Sequence, residues 1–125
     1  MLAEVESQKT EDFNEGFLGY VDTYYYLSKI IPNDKVILDL GCGYAAQAYF
    51  FQAHKKYIGV DTNGAKKFTF PNTEMYDMSI EEFMNTHVLN PEEVFAICNY
   101  VPGEHKQKQK IFQMFPNHFN YNWIT

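Results

Sequence analysis

The sequence predicts an α/β domain built on a mainly parallel sheet of about five strands and preceded by a helix, and three observations carry that prediction. Short apolar runs recur along the chain, at Val36-Ile37-Leu38, Tyr57-Ile58-Gly59-Val60 and Phe95-Ala96-Ile97-Cys98. Continuous runs of this length suit strands buried on both faces. The first two each run into an acid, Asp39 and Asp61. Between them stand Gly41 and Gly43 and then a helix-compatible stretch, the strand, turn, helix, strand order of a crossover unit. At 125 residues the chain reads as a single domain, 1–125, able to bury about 65 to 70% of its unfolded surface.

The elements follow in order. Residues 1–12 are polar and read as frayed. From Phe13, the apolar positions Phe17, Val21, Tyr24 or Tyr25, Leu27 and Ile31 repeat at helical spacing and stop at Pro32-Asn33-Asp34, which predicts a helix packed on the sheet. Tyr20, Tyr24, Tyr25 and Tyr26 on it are candidates for an aromatic wall beside a ligand. A strand from Val36, the glycine turn, a helix over about Ala45 to His54 and a strand ending at Asp61 come next. Thr62 to Asn72 contains Gly64 and Pro71 without periodicity and reads mostly as loop. Met75-Tyr76-Asp77-Met78 reads as a third strand ending in an acid. Ser79-x-x-Glu82 is a capping box that opens a helix to about Asn85. Asn90-Pro91-Glu92-Glu93 makes a turn into a fourth strand ending near Tyr100. Gly103 to Phe115 predicts a helix with Ile111, Met114 and Phe115 on one face, stopped by Pro116-Asn117. His118 to Thr125 reads as a fifth strand.

The glycine turn carries the functional signal. Gly41 and Gly43 allow a sharp bend and close approach of a ligand to the backbone. The following helix would aim its N-terminal amides over the turn, and Asp61 stands where a carboxylate can accept from both hydroxyls of a ribose. Gly41-Cys42-Gly43-Tyr44-Ala45-Ala46 also fits the dinucleotide fingerprint G-x-G-x-x-G/A. Asp39, two residues before the first glycine, separates the two readings. It would repel a diphosphate and tolerate a cofactor with a cationic amino acid end.

The run Val36-Ile37-Leu38-Asp39-Leu40-Gly41-Cys42-Gly43 resembles motif I of the class I S-adenosylmethionine-dependent methyltransferases, and Gly59-Val60-Asp61 resembles their acidic second-strand motif. The resemblance extends from about Val36 to Pro102. It implies a three-layer Rossmann-like sandwich that binds S-adenosylmethionine. Asp39, Gly41 and Gly43 would surround the methionine part, Asp61 the ribose, and Asp77 with Met78 the adenine, while Cys42, Thr62 and Asn99 would also contact the cofactor. The family's third glycine is Ala45 here. The fourth-strand tip, Asn99-Tyr100-Val101-Pro102, has the residue types of amino-group methyltransferases acting on DNA bases or glutamine, but not their spacing. Methyl transfer from a sulfonium needs mainly positioning, so the catalytic candidates are few: Asn99 or Tyr100 to orient the acceptor and His105 as a base. The resemblance implies transfer to a small molecule or a protein side chain. The alternatives are a non-catalytic cofactor-binding or partner-binding domain with a truncated fold and a nucleoside-binding protein outside the family.

Composition narrows the partners. The net charge is −6, and all ten basic residues are lysines, so the chain lacks the guanidinium fork that reads phosphates and guanine edges. Nucleic acid is a poor substrate, and Lys106, Lys108 and Lys110 read as a solvated helix face. No apolar run reaches about 18 residues, and the N-terminus lacks a signal-peptide layout. A cytosolic location follows, with two cysteines too few for a disulfide framework. Oxidation joining Cys42 to Cys98 would distort the turn. The chain is short for the family, whose final hairpin is then missing. Phe119, Tyr121, Trp123 and Ile124 would lie on an open edge, which predicts a homodimer or a partner protein there, with Trp123 buried.

Overall fold

A computed structural model describes residues 13–62, 67–99 and 105–121. Two compact units make up the chain, Met1–Pro32 and Asn33–Thr125. The first contributes one helix, α1 (Phe13–Ile30). Tyr24, Leu27 and Ile31 are buried while Tyr25 and Tyr26 are half exposed, so the spacing of three and four residues selects one apolar face. Among the described residues no helix is long and apolar enough to cross a membrane.

The second unit is a five-stranded sheet. Strands β1 (Val36–Leu40), β2 (Lys56–Asp61), β3 (Thr73–Asp77), β4 (Val94–Asn99) and β5 (His118–Tyr121) lie in the order β3-β2-β1-β4-β5. Every pairing is parallel. All five residues of β1 are buried, as a central strand covered on both faces demands. The order reverses direction between β1 and β4, and in open parallel sheets ligands bind at the carboxyl ends of the strands beside such a reversal.

Alternation along the strands sorts two faces. Val36, Leu38 and Leu40, with Ile58, Val60, Val94, Ala96 and Cys98, join Phe83, Ile111 and Phe115 in one apolar cluster. Phe83 belongs to α2 (Ile80–Thr86), and Ile111 to α3 (His105–Met114). The Ser79 side chain accepts from the Glu82 amide at 3.0 Å, so the capping box opens α2 where the sequence places it. The turn before β4 also forms, with the Glu93 amide donating to the Asn90 carbonyl at 3.0 Å. On the opposite face Phe51 stacks tilted on Tyr57 at 5.7 Å.

Three expectations need correction, and a fourth falls beyond what is described. The helix expected over Ala45 to His54 is a six-residue 3₁₀ helix, Ala46–Phe51. Ala45 adopts the left-handed conformation, φ 64°, which no α-helical residue can hold. The far end is cut off because the Asn72 side chain donates to the carbonyls of Phe51 and His54, and the Lys55 amide turns to Asn33. Strand β3 starts at Thr73 and ends at Asp77 rather than spanning Met75 to Met78, because the Tyr57 amide already bonds the Asn72 carbonyl and sets the register there. In α3, Met114 is exposed, and Phe112 packs against the core in its place. Strand β5 is described only to Tyr121, so the expectations at Trp123 and Ile124 lie outside the described residues.

Candidate functional site

Strand β1 delivers its backbone into a turn at the carboxyl edge of the sheet. Gly41, Gly43 and Ala45 all have positive φ, 85°, 61° and 64°. The third position therefore demands the conformation that glycine adopts most cheaply, and Ala45 meets it at a cost of about 1–2 kcal/mol. A Cβ added at Gly43 would meet nothing within 4 Å, so the backbone there faces open space.

Four amides of the turn are committed within the protein. Those of Gly41 and Cys42 donate to the Val60 carbonyl at 2.8 and 3.2 Å, and that of Ala45 to the Cys42 carbonyl at 3.0 Å. The Gly43 amide donates to Asp61 Oδ2 at 2.7 Å. Asp61, at the end of β2, is thereby aimed over the turn. A carboxylate accepts at about four positions, so this bond leaves capacity for ligand hydroxyls. Asp77 is the register partner of Asp61 across the β2–β3 pairing. Two acids thus end adjacent strands.

Beneath the turn lies a network that sequence reading did not find. Asp39 is fully buried, and its Oδ2 accepts from the Tyr57 hydroxyl and, at 2.8 Å, from Gln47 Nε2. The same Gln47 nitrogen reaches the Cys42 carbonyl at 2.9 Å and the Tyr57 oxygen at 3.3 Å. Asp39 therefore acts from inside the fold, where a buried carboxylate needs such donors. Gln47 ties it to the backbone of the turn. Tyr57 resembles any strand aromatic in sequence, and Gln47 has no motif, so neither carries a readable signal.

Cys42 fills the space below the turn. Its thiol is buried, and a Cβ at Gly59 would lie 2.9 Å from its sulfur and 2.8 Å from that of Met75. Only glycine on β2 leaves that room. Burial pushes the Cys42 thiol far up, the carboxylates of Asp39 and Asp61 add to the rise, and Lys67 opposes it. Such a thiol stays protonated and unreactive at neutral pH. Neither Cys42 nor Cys98, both buried, is in a disulfide.

Lys67, like Tyr57 and Gln47, carries no sequence signal. Its side chain is 5% exposed, and its Nζ stands 3.9 Å from Asp77 Oδ1. The next residue, Phe68, donates its amide to the Tyr44 carbonyl at 2.8 Å, so the chain after β2 returns to the glycine turn.

The remaining candidates are spread more widely. Thr62 is exposed beside Asp61. Met78 packs partly buried against the apolar cluster. Asn99 ends β4 and His105 begins α3. Tyr100, Val101 and Pro102 lie outside the described residues.

No family model matches the chain, and no curated protein matches it by sequence. Solved structures do. A candidate methyltransferase from Streptococcus mutans, in complex with SAH, superposes with a TM-score of 0.53 at 17% identity, over 78% of this chain and 64% of its own. A candidate type II methyltransferase from Anaeromyxobacter dehalogenans gives 0.51 at 18% identity, over 71% of this chain and 38% of its own. This chain thus spans well under two thirds of one neighbour and just under two thirds of the other. With a wholly parallel β3-β2-β1-β4-β5 sheet and a glycine turn at its switch point among the described residues, the chain carries a Rossmann-like fold shared with these two candidate methyltransferases.

Proposed function

We propose that this chain binds S-adenosylmethionine at the carboxyl edge of β1, β2 and β3 and transfers its methyl group to a small molecule or a protein side chain. The observation that carries the reading is the commitment of the turn amides. With Gly41, Cys42, Gly43 and Ala45 all donating to protein acceptors, the turn offers little to a diphosphate, which needs a cradle of donors. Asp61 and Asp77 instead favour a ligand rich in donors: two ribose hydroxyls and an amino-substituted base. The open space over Gly43 leaves room for the rest of the cofactor. A neighbour with this fold holds SAH, which supports the same ligand class here.

Calorimetric titration with S-adenosylmethionine, SAH and NAD tests this. We expect dissociation constants on the order of 10 µM for the first two, or about −7 kcal/mol, and none measurable for NAD. Asp61→Ala should weaken binding at least about tenfold, which is 1.4 kcal/mol. Unchanged affinity in that variant would remove the reading.

One observation favours binding without transfer as a second reading. The described acids of the site, Asp39, Asp61 and Asp77, hold the turn or end the strands that a nucleoside would lie against, which makes them binding groups rather than a base for an acceptor. Methyl turnover with a panel of hydroxyl, amine and thiol acceptors separates the two. For the outer edge of β5, the last strand of the sheet among the described residues, we propose a second copy of the chain as the covering partner, and light scattering of the eluted protein at the mass of a monomer would exclude it.

A further inference from the structure

We propose that Lys67 is a specificity-determining residue of the nucleoside site, its ammonium donor standing beside the Asp77 acceptor to read the amino group and an adjacent ring nitrogen of adenine. This rests on the cofactor reading above and deepens it.

The placement comes from two anchors. The backbone beside Lys67 is tied to the glycine turn through the Phe68 amide and the Tyr44 carbonyl, while the Nζ reaches Asp77 at the end of β3. Since β2 lies between β1 and β3, the side chain crosses the carboxyl edge of the sheet next to Asp61. It does so almost entirely out of water, at 5% exposure, whereas Asp77 is 57% exposed. A lysine normally keeps its ammonium in solvent and buries only its stem. Of the lysines whose burial is described, Lys67 alone is buried. Burial of this group is costly, and it holds a charged donor 3.9 Å from the more exposed Asp77 carboxylate.

The chemistry of the pair selects a base. Adenine offers an amino donor flanked by ring-nitrogen acceptors, and a side chain with one acceptor and one donor reads the amino group and N7 together. Asp77 Oδ1 and Lys67 Nζ, 3.9 Å apart, supply the same combination split over two residues. That separation lets each lie within about 3 Å of its own partner on the base. A base carrying an oxygen in place of the amino group would set that oxygen against the Asp77 carboxylate.

The test titrates the full chain, wild type and Lys67→Met, with SAH and with its 1-deaza and 7-deaza counterparts, each lacking one ring nitrogen. In wild type, one of the two deaza ligands should bind about tenfold more weakly than SAH, the range of a hydrogen bond from a charged donor. Lys67→Met should bind SAH and that same deaza ligand equally, because the donor they differ by is gone. Lys67→Gln, which keeps a neutral donor, should retain part of the difference and carries the comparison if the Met variant fails to melt cooperatively. A deaza penalty that is the same in wild type and variants, or absent in wild type, overturns the proposal. So does tighter binding of SAH by Lys67→Met, which would make the ammonium an obstruction. Failure of wild type to bind any of the three ligands is a different result, and it brings down the cofactor reading itself.

Discussion

On one face of the sheet, Val36, Leu38, Ile58, Val60 and Ala96 meet Phe83, Ile111 and Phe115 in an apolar cluster; on the other, directly below the turn, Asp39, Tyr57 and Gln47 share hydrogen bonds in complete burial. The first arrangement is held by volume, which many combinations of side chains can supply. The second is held by direction, since a buried carboxylate without its donors is strongly unfavourable. The contrast assigns stability to the α2–α3 side and the shape of the glycine turn to the other.

The sharpest break of that contrast is Phe83→Ala. It should cost about 3–5 kcal/mol of unfolding free energy yet leave SAH affinity unchanged at temperatures where the variant stays folded. A chemical denaturation curve and a titration on one preparation check both halves. Tyr57→Phe removes a single oxygen from the opposite face and should cost about 1.5–3 kcal/mol, as for a hydrogen bond to a charged group. It should also weaken SAH, because Gln47 shares Asp39 and the Cys42 carbonyl. Loss of stability with no change in affinity would mean that the network supports the sheet but does not shape the turn.

The smallest effect lies at the edge strand. The Glu74 carboxyl is held below its ordinary range, first by the hydrogen bond from Lys56, 2.9 Å away in an ion pair whose partners are both about 40% exposed. A depressed carboxyl contributes stability above its unfolded value, and this is lost as pH falls through the lower folded value. Glu74→Gln should therefore flatten the acid side of the stability profile by less than about 1 kcal/mol, with binding untouched. A larger loss would show that β3 is held from its outer side more than from the core.

What the sequence made legible follows the same division. Runs such as Val36-Ile37-Leu38 and Phe95-Ala96-Ile97-Cys98 announce buried strands because burial on both faces leaves no polar alternation, and those strands stand where the runs are. The turn was legible because positive φ restricts residue choice at Gly41 and Gly43. The 3₁₀ helix was not, since Ala46 to Phe51 suits an α-helix, and it is Ala45 in a left-handed conformation and Asn72 from a distant loop that shorten it. Lys67 was missed for a related reason: lysine in a loop without periodicity signals solvent, and its burial depends on contacts made across the fold.

Gly59 sets a rule for any redesign of this chain. Its missing side chain is the volume that the sulfurs of Cys42 and Met75 occupy, so positions 42, 59 and 75 behave as one shared space on three separate elements. Alanine at 59 must displace both sulfurs, and a smaller residue at 42 or 75 eases that displacement. Substitutions at these three sites will therefore be non-additive, and a library that varies them one at a time will discard the combinations that fold.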